Sequence, residues 1–170
     1  MSLSKPQRHV ALGMAAGLLF SIAALVATAL LQVFDPRRLA LAPLAALAPA
    51  LMLAFCIARL AAHRFLTPED IDGSALTAGS GRARLLQALL QNTLEQTVLA
   101  IPVYAAWSVV APASLAGLVL TAALLFVTGR GLFFAGYQRG AAGRAFGFAL
   151  TFYPTVILLA CLFYWAIARA

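Results

Sequence analysis

The tract Gln96–Gly129, QTVLAIPVYAAWSVVAPASLAGLVLTAALLFVTG, runs for 34 residues without a charged side chain. One continuous helix of that length would extend about 50 Å, against a bilayer hydrocarbon core of about 30 Å. The chain therefore turns inside it. The turn belongs in SVVAPAS, Ser108–Ser114, where Pro112 sits among small residues and biases the preceding Ala111 away from helix. The tract reads as two crossings.

Three more uncharged tracts, Val10–Phe34, Leu39–Ala58 and Ala145–Ala168, each reach the roughly 20 residues that a crossing needs. A mean hydropathy of +0.95 with only 10% charged residues excludes a soluble globular domain. Five helices are expected, near 10–33, 41–64, 84–107, 114–138 and 145–168. The fold class is an all-α integral membrane protein.

The basic residues orient these helices, because cytoplasmic segments are enriched in them. Lys5, Arg8, Arg59, Arg64, Arg82, Arg84, Arg130, Arg139 and Arg144 fall on one side or at its interface, and Arg37, Arg38 and Arg169 on the other. This places the N-terminus, the 65–83 loop and the 139–144 turn in the cytoplasm. Lys5, Arg8 and Ala27-Thr28-Ala29 resemble a cleavable secretory signal, but the 25-residue apolar run is long enough to favour a retained span. The formal charge of +7 follows from positive-inside bias and lipid headgroups, and no aromatic-basic pattern points to nucleic acid.

Cys56 and Cys161 lie inside expected spans without CxxC or Cys/His spacing and read as reduced packing residues. His9 and His63 read as interfacial anchors. The polar segment Phe65–Gly81, FLTPEDIDGSALTAGSG, holds Glu69, Asp70 and Asp72, which read as solvated turn residues, since their spacing matches no calcium loop. Thr67 or Ser74 is a candidate cap for a short helix there. The first span reads as a lipid-facing helix without chemistry. Its Gly13, Ala15, Ala16, Gly17, Ser21, Ala23 and Ala24 supply a small-residue surface for close packing.

The third span breaks this apolar pattern. Arg84, Gln87, Gln91 and Glu95 recur at three, four and four residues and so share a helical face, with Asn92 beside them. Ionisable groups at membrane depth are expensive and face a bundle interior or a wet cavity, so a functional site is the default reading. The bland alternative is an arginine partner for Glu95 that only locks helices together. A second cluster, GRGLFFAGYQRGAAGR (Gly129–Arg144), places Arg130, Phe133, Phe134 and Tyr137 on one face and adds Arg139 and Arg144. Three arginines and a tyrosine opposite one carboxylate leave cationic capacity for an anionic ligand.

Asn92-Thr-Leu-Glu95 after a basic loop, followed by YQRGAAGR (Tyr137–Arg144) at the last hairpin, resembles the MAPEG family. This family comprises the microsomal glutathione transferases, leukotriene synthases and bacterial relatives. The pattern is Asn-x-x-Glu on one helix, then Tyr-x-Arg with a further arginine five residues on, and the resemblance covers about Leu41–Ala168. It implies a four-helix transmembrane domain over 39–170, preceded by an N-terminal extension, 1–38, carrying one additional transmembrane helix, and a homotrimer of such protomers that binds glutathione between subunits near the cytoplasmic face. The thiol is there presented to a lipophilic small-molecule acceptor dissolved in membrane lipid.

Carried over residue by residue, Glu95 meets the ammonium, Asn92 donates to the peptide or a carboxylate, and Tyr137 and Arg139 hold the tripeptide backbone. Arg144 stabilises thiolate. The family arginine four residues before the asparagine is Ala88 here, which leaves Arg84 as its nearest substitute; Phe133 and Gln96 stand where tyrosines are usual. The expected activity is a glutathione transferase or peroxidase of a compact, bacterial-type inner (plasma) membrane protein. The alternative is a non-catalytic membrane protein that binds an anionic lipid or a partner helix through its polar stripe.

Overall fold

The computed structural model describes residues 4–32, 42–73 and 78–169; Arg37, Arg38, Ser74 and the boundary between 38 and 39 lie outside them. The described chain is helical, with α1 (Lys5–Leu31), α2 (Leu47–Leu66), α3 (Gly81–Val110), α4 (Leu118–Gly136) and α5 (Gly140–Ala168). Residues 42–46 and the segments Pro68–Asp70, Ala113–Leu115 and Tyr137–Arg139 form 3-10 turns. Helix α3 ends at Val110 and the chain reverses through Pro112, so the long apolar tract is divided where the proline demands it.

Three segments are long and apolar enough to cross a membrane: 5–31, 42–66 and 113–168, the last containing both α4 and α5. Helix α3 is not among them, because Gln87, Gln91, Asn92, Glu95 and Gln96 dilute its apolar content. One side of it is nonetheless buried in the bundle. Ala83, Leu86, Thr93, Thr97, Ala100, Tyr104 and Trp107 are buried at spacings of three to four, with one seven-residue step, and so mark one continuous face.

That face meets Val119, Ala122 and Phe126 of α4 and Leu158 of α5 in the main core. Hydroxyls tie the helices where apolar packing alone gives little selectivity in lipid. Tyr104 Oη lies 3.2 Å from Thr155 Oγ1, and Thr97 Oγ1 donates to the Pro49 carbonyl at 3.3 Å. Trp107 Nε1 donates to the Leu115 carbonyl at 3.1 Å and its ring packs on Trp165, closing the end of the bundle away from Arg130 and Arg144.

Helices α4 and α5 form a tight antiparallel hairpin, in which a Cβ at Gly136 would collide with the Gly143 carbonyl. Helix α1 lies against α5, in the same direction, and also touches α4. It is not a plain lipid-facing helix: Gly17, Ser21, Leu25 and Thr28 are buried along one side. A Cβ at Gly17 would collide with Ala149 Cβ, so only glycine lets the two backbones approach this closely. Thr28 Oγ1 and Thr121 Oγ1, 2.7 Å apart, fix the far end.

The 65–80 loop departs from its sequence reading. Asp70 is not a solvated turn residue but 1% exposed. Its carboxylate accepts from the Ser80 backbone N–H at 2.7 Å and the Ser80 hydroxyl at 2.6 Å, and lies 3.0 Å from His63 Nε2. Ser80 in turn caps α3 by accepting from the Ala83 N–H at 3.1 Å. His63 is therefore a clasp residue rather than only an interfacial anchor. Thr67 stands before the Pro68–Asp70 turn without a side-chain capping bond.

Two outcomes follow from this packing. Gly17→Leu is expected to lower the thermal midpoint of the solubilised protein, by an overpacking cost of about 1–3 kcal/mol, and to expose α1 to protease; the same change at the exposed Ala16 is the control. The Ser80 hydrogen bonds, and secondarily His63, hold the Asp70 carboxyl below its ordinary 3.8. A depressed folded-state value contributes stability above the unfolded value that is lost as pH falls through the folded one. Hydrogen exchange in the loop and the first turn of α3 should therefore be slow at neutral pH and accelerate below about pH 4, a step that Asp70→Asn abolishes.

Candidate functional site

Arg130 is the organising side chain of the basic end. It is fully buried, although it comes from a helix that is otherwise almost entirely apolar. Its Nη1 donates to Asn92 Oδ1 on α3 at 2.8 Å, and its Nη2 to Thr151 Oγ1 on α5 at 3.3 Å. The guanidinium lies 4.2 Å from the Phe133 ring centroid and 6.0 Å from that of Phe134. Nε has no partner, and among the described residues no carboxylate pairs with this cation. Carboxamide, hydroxyl and two ring faces therefore replace a counterion.

With its oxygen held by Arg130, Asn92 keeps its amide nitrogen as unspent donor capacity. Asn92 lines a cavity of about 310 Å³ together with Tyr137 and Arg144. Arg144 stacks on the Tyr137 ring at 4.3 Å and makes no hydrogen bond or ion pair among the described residues. Tyr137 packs edge-on against Phe133, so the Arg130 stack and the Arg144 stack share an aromatic spine. Apolar walls come from Phe133, Phe148, Ala145 and, from α1, Val10 and Met14.

The remaining sequence-derived candidates lie elsewhere in the protomer. Arg84 is exposed and donates to the Gly79 and Ala78 carbonyls at 2.7 and 3.3 Å, bracing the loop at the start of α3. It lines a second cavity, of about 360 Å³, with Arg64, Asp70, Gln87 and Gln91. Glu95 is exposed on the outer side of α3 and accepts from Gln91 Nε2 at 3.1 Å. It does not face the interior of the bundle, and among the described residues no arginine pairs with it. Arg139 is exposed at the hairpin and does not line the Arg144 cavity.

The chain thus unites Asn92, Tyr137 and Arg144 on one cavity and leaves Glu95, Arg139 and Arg84 outside it. The polar stripe is divided by one residue of helical phase: Gln91 and Glu95 point outward while Asn92, about 100° further round, points in. The sequence reading left Val10, Met14 and Thr151 unassigned. Arg130 was visible through its spacing to Phe133, Phe134 and Tyr137, but nothing in the sequence marks Asn92 as its partner.

Arg130→Lys retains the charge but offers no planar fork to Asn92 and Thr151 and stacks poorly on Phe133. It is expected to destabilise the solubilised protein by about 1–3 kcal/mol, read as a lower thermal midpoint.

Comparison with curated proteins and with solved structures gives no match. The model of the MAPEG family matches residues 38–164, leaving α1 outside the matched region. That match spans well over half of the chain, covers α2 to α5, and agrees with an all-helical bundle built of membrane-crossing segments. The chain belongs to the MAPEG family of integral membrane proteins.

Proposed function

We propose that this protein is a glutathione-dependent transferase or peroxidase acting on lipophilic substrates in the membrane. The observation that carries this reading is the meeting of Asn92, Tyr137 and Arg144 on one cavity whose arginine has no carboxylate partner among the described residues. Glutathione offers two carboxylates, an ammonium and a thiol. A free guanidinium favours the thiolate over the thiol, and the Asn92 amide donates to a carboxylate or peptide oxygen. The Tyr137 ring fixes the Arg144 guanidinium and offers its hydroxyl to the tripeptide. The apolar walls admit the acceptor from the bilayer side.

Glu95 supports a trimer. It lies about 21 Å along α3 from its first residue, and a carboxylate facing lipid at that depth is costly. A neighbouring protomer covering this face turns Glu95 into the group that meets the ammonium at a subunit boundary, where Arg139 and Arg84 of the same assembly hold the remaining charges. The outward Gln91–Glu95 pair also suits the second reading, in which a partner helix docks on the stripe and no thiol is bound. Family membership and the basic end of the bundle fit an inner-membrane protein with its N-terminus in the cytoplasm.

Titration of the solubilised protein with glutathione should raise thiolate absorbance, and Arg144→Ala should abolish the rise. Glutathione that fails to bind at millimolar concentration, in a protein of correct mass, overturns the proposal in favour of the second reading. The native mass of the complex should be that of three chains.

A further inference from the structure

The cavity that holds Arg144 is closed on one side by a helix lying outside the family match. Val10 and Met14 of α1 line it, and neither is fully buried, so both side chains present surface to the cavity. They continue the docking side of α1. Val10, Met14, Gly17, Ser21, Leu25 and Thr28 follow one another at four, three, four, four and three residues, a single helical face. The glycine and serine part of that face seats α1 on α5 through Ala149. Toward the N-terminus Gly13 likewise sits close to Ala145, where a Cβ would lie 2.9 Å from the Ala145 Cβ, and Val10 and Met14 on either side of it line the cavity with Phe148, Phe133 and Arg144. Close contact at Gly13 and Gly17 thus fixes how far this part of α1 stands from the wall that carries Arg144.

We infer that Val10 and Met14 determine which acceptors react: the apolar body of the substrate lies against these two side chains while its reactive end meets the thiolate held by Arg144. The inference rests on the proposed function for its chemistry, but the wall itself makes a claim about shape. Met14 is unbranched and adaptable, so it accepts varied apolar bodies up to a limit of size set by the α1–α5 seat.

Two maleimides with one reactive group and different bodies separate these claims, namely N-ethylmaleimide and N-(1-pyrenyl)maleimide. In each, the glutathione sulfur forms a C–S bond to the ring alkene, whose π electrons move to the neighbouring carbon and take a proton from solvent. Nothing leaves and no oxidant is needed. Met14→Ala is expected to raise the pyrenyl rate relative to the ethyl rate by about fivefold or more, and Met14→Trp or Val10→Phe to lower it by a similar factor. Opposite movements of one ratio cannot come from misfolding.

A probe with no reactive group tests the wall without turnover. Fluorescent 1-pyrenebutyrate carries a carboxylate for Arg144 and an apolar body for α1, and Met14→Trp should weaken its binding about fivefold or more. A rate ratio and a pyrenebutyrate affinity that both move less than twofold overturn the inference. A wild-type protein that forms no thiolate but whose pyrenebutyrate affinity follows Met14 overturns the thiol chemistry and upholds the wall.

Discussion

A guanidinium buried without a carboxylate is the constraint around which the basic end of this bundle is built. Removing such a charge from water costs several kcal/mol, which the surroundings must offset. Here the offset is distributed over three helices: Asn92 from α3, Thr151 from α5, and two phenylalanine rings from the same helix as the arginine. The guanidinium thereby fixes the spacing of α3, α4 and α5 at the level where the cavity opens. Had a carboxylate neutralised Arg130, Asn92 would be free to turn its oxygen toward the cavity and present an acceptor to an anionic guest. Arg130 instead holds that oxygen and leaves the donor end available.

Much of the fold is legible in the sequence because bilayer thickness limits helix length. The Pro112 turn and the five helices follow from length and from proline stereochemistry alone. The packing of α1 is less legible. That helix is apolar on every side, so periodicity does not say which face docks, and only the small residues Gly13, Gly17 and Ser21 hint at it. Asp70 is the clearest departure, since an acid beside glycine and serine is ordinarily solvated. Its burial depends on Ser80, ten residues on, and on His63 from the preceding helix, a tertiary closure with no local signal.

The candidate site shows the same limit on a finer scale. Spacing alone places Arg84, Gln87, Gln91 and Glu95 on one face, and the structure agrees that Gln91 and Glu95 share one. Spacing does not say which of two adjacent polar faces turns inward. Asn92 enters the protomer because Arg130 draws it there, and Arg130 is buried because Gly129 lets α4 approach α5 so closely that a Cβ would meet the Gly147 carbonyl at 2.8 Å. Contact between α4 and α5 thus decides the orientation of a residue on α3.

The position of α1 bears on how such protomers assemble. By covering α5, it removes one side of the four-helix unit from contact with a neighbour, whereas the outer side of α3 retains an exposed carboxylate and amide. Small-residue packing satisfies the seat of α1 on α5 and α4 internally, with Ser21 Oγ donating to the Gly17 carbonyl at 2.7 Å and Thr28 bonded to Thr121 of α4. The α3 face has no such closure. In the proposed trimer, therefore, the driving force for association is concentrated on α3: lipid solvates apolar surface as well as a protein neighbour does, but it cannot solvate Glu95. The group that requires a neighbour is also the group proposed to receive the ammonium, so assembly and substrate binding draw on one unsatisfied charge. A chain that left the proposed trimer would keep the Asn92, Tyr137 and Arg144 cavity but expose the acid and part it from the neighbouring site.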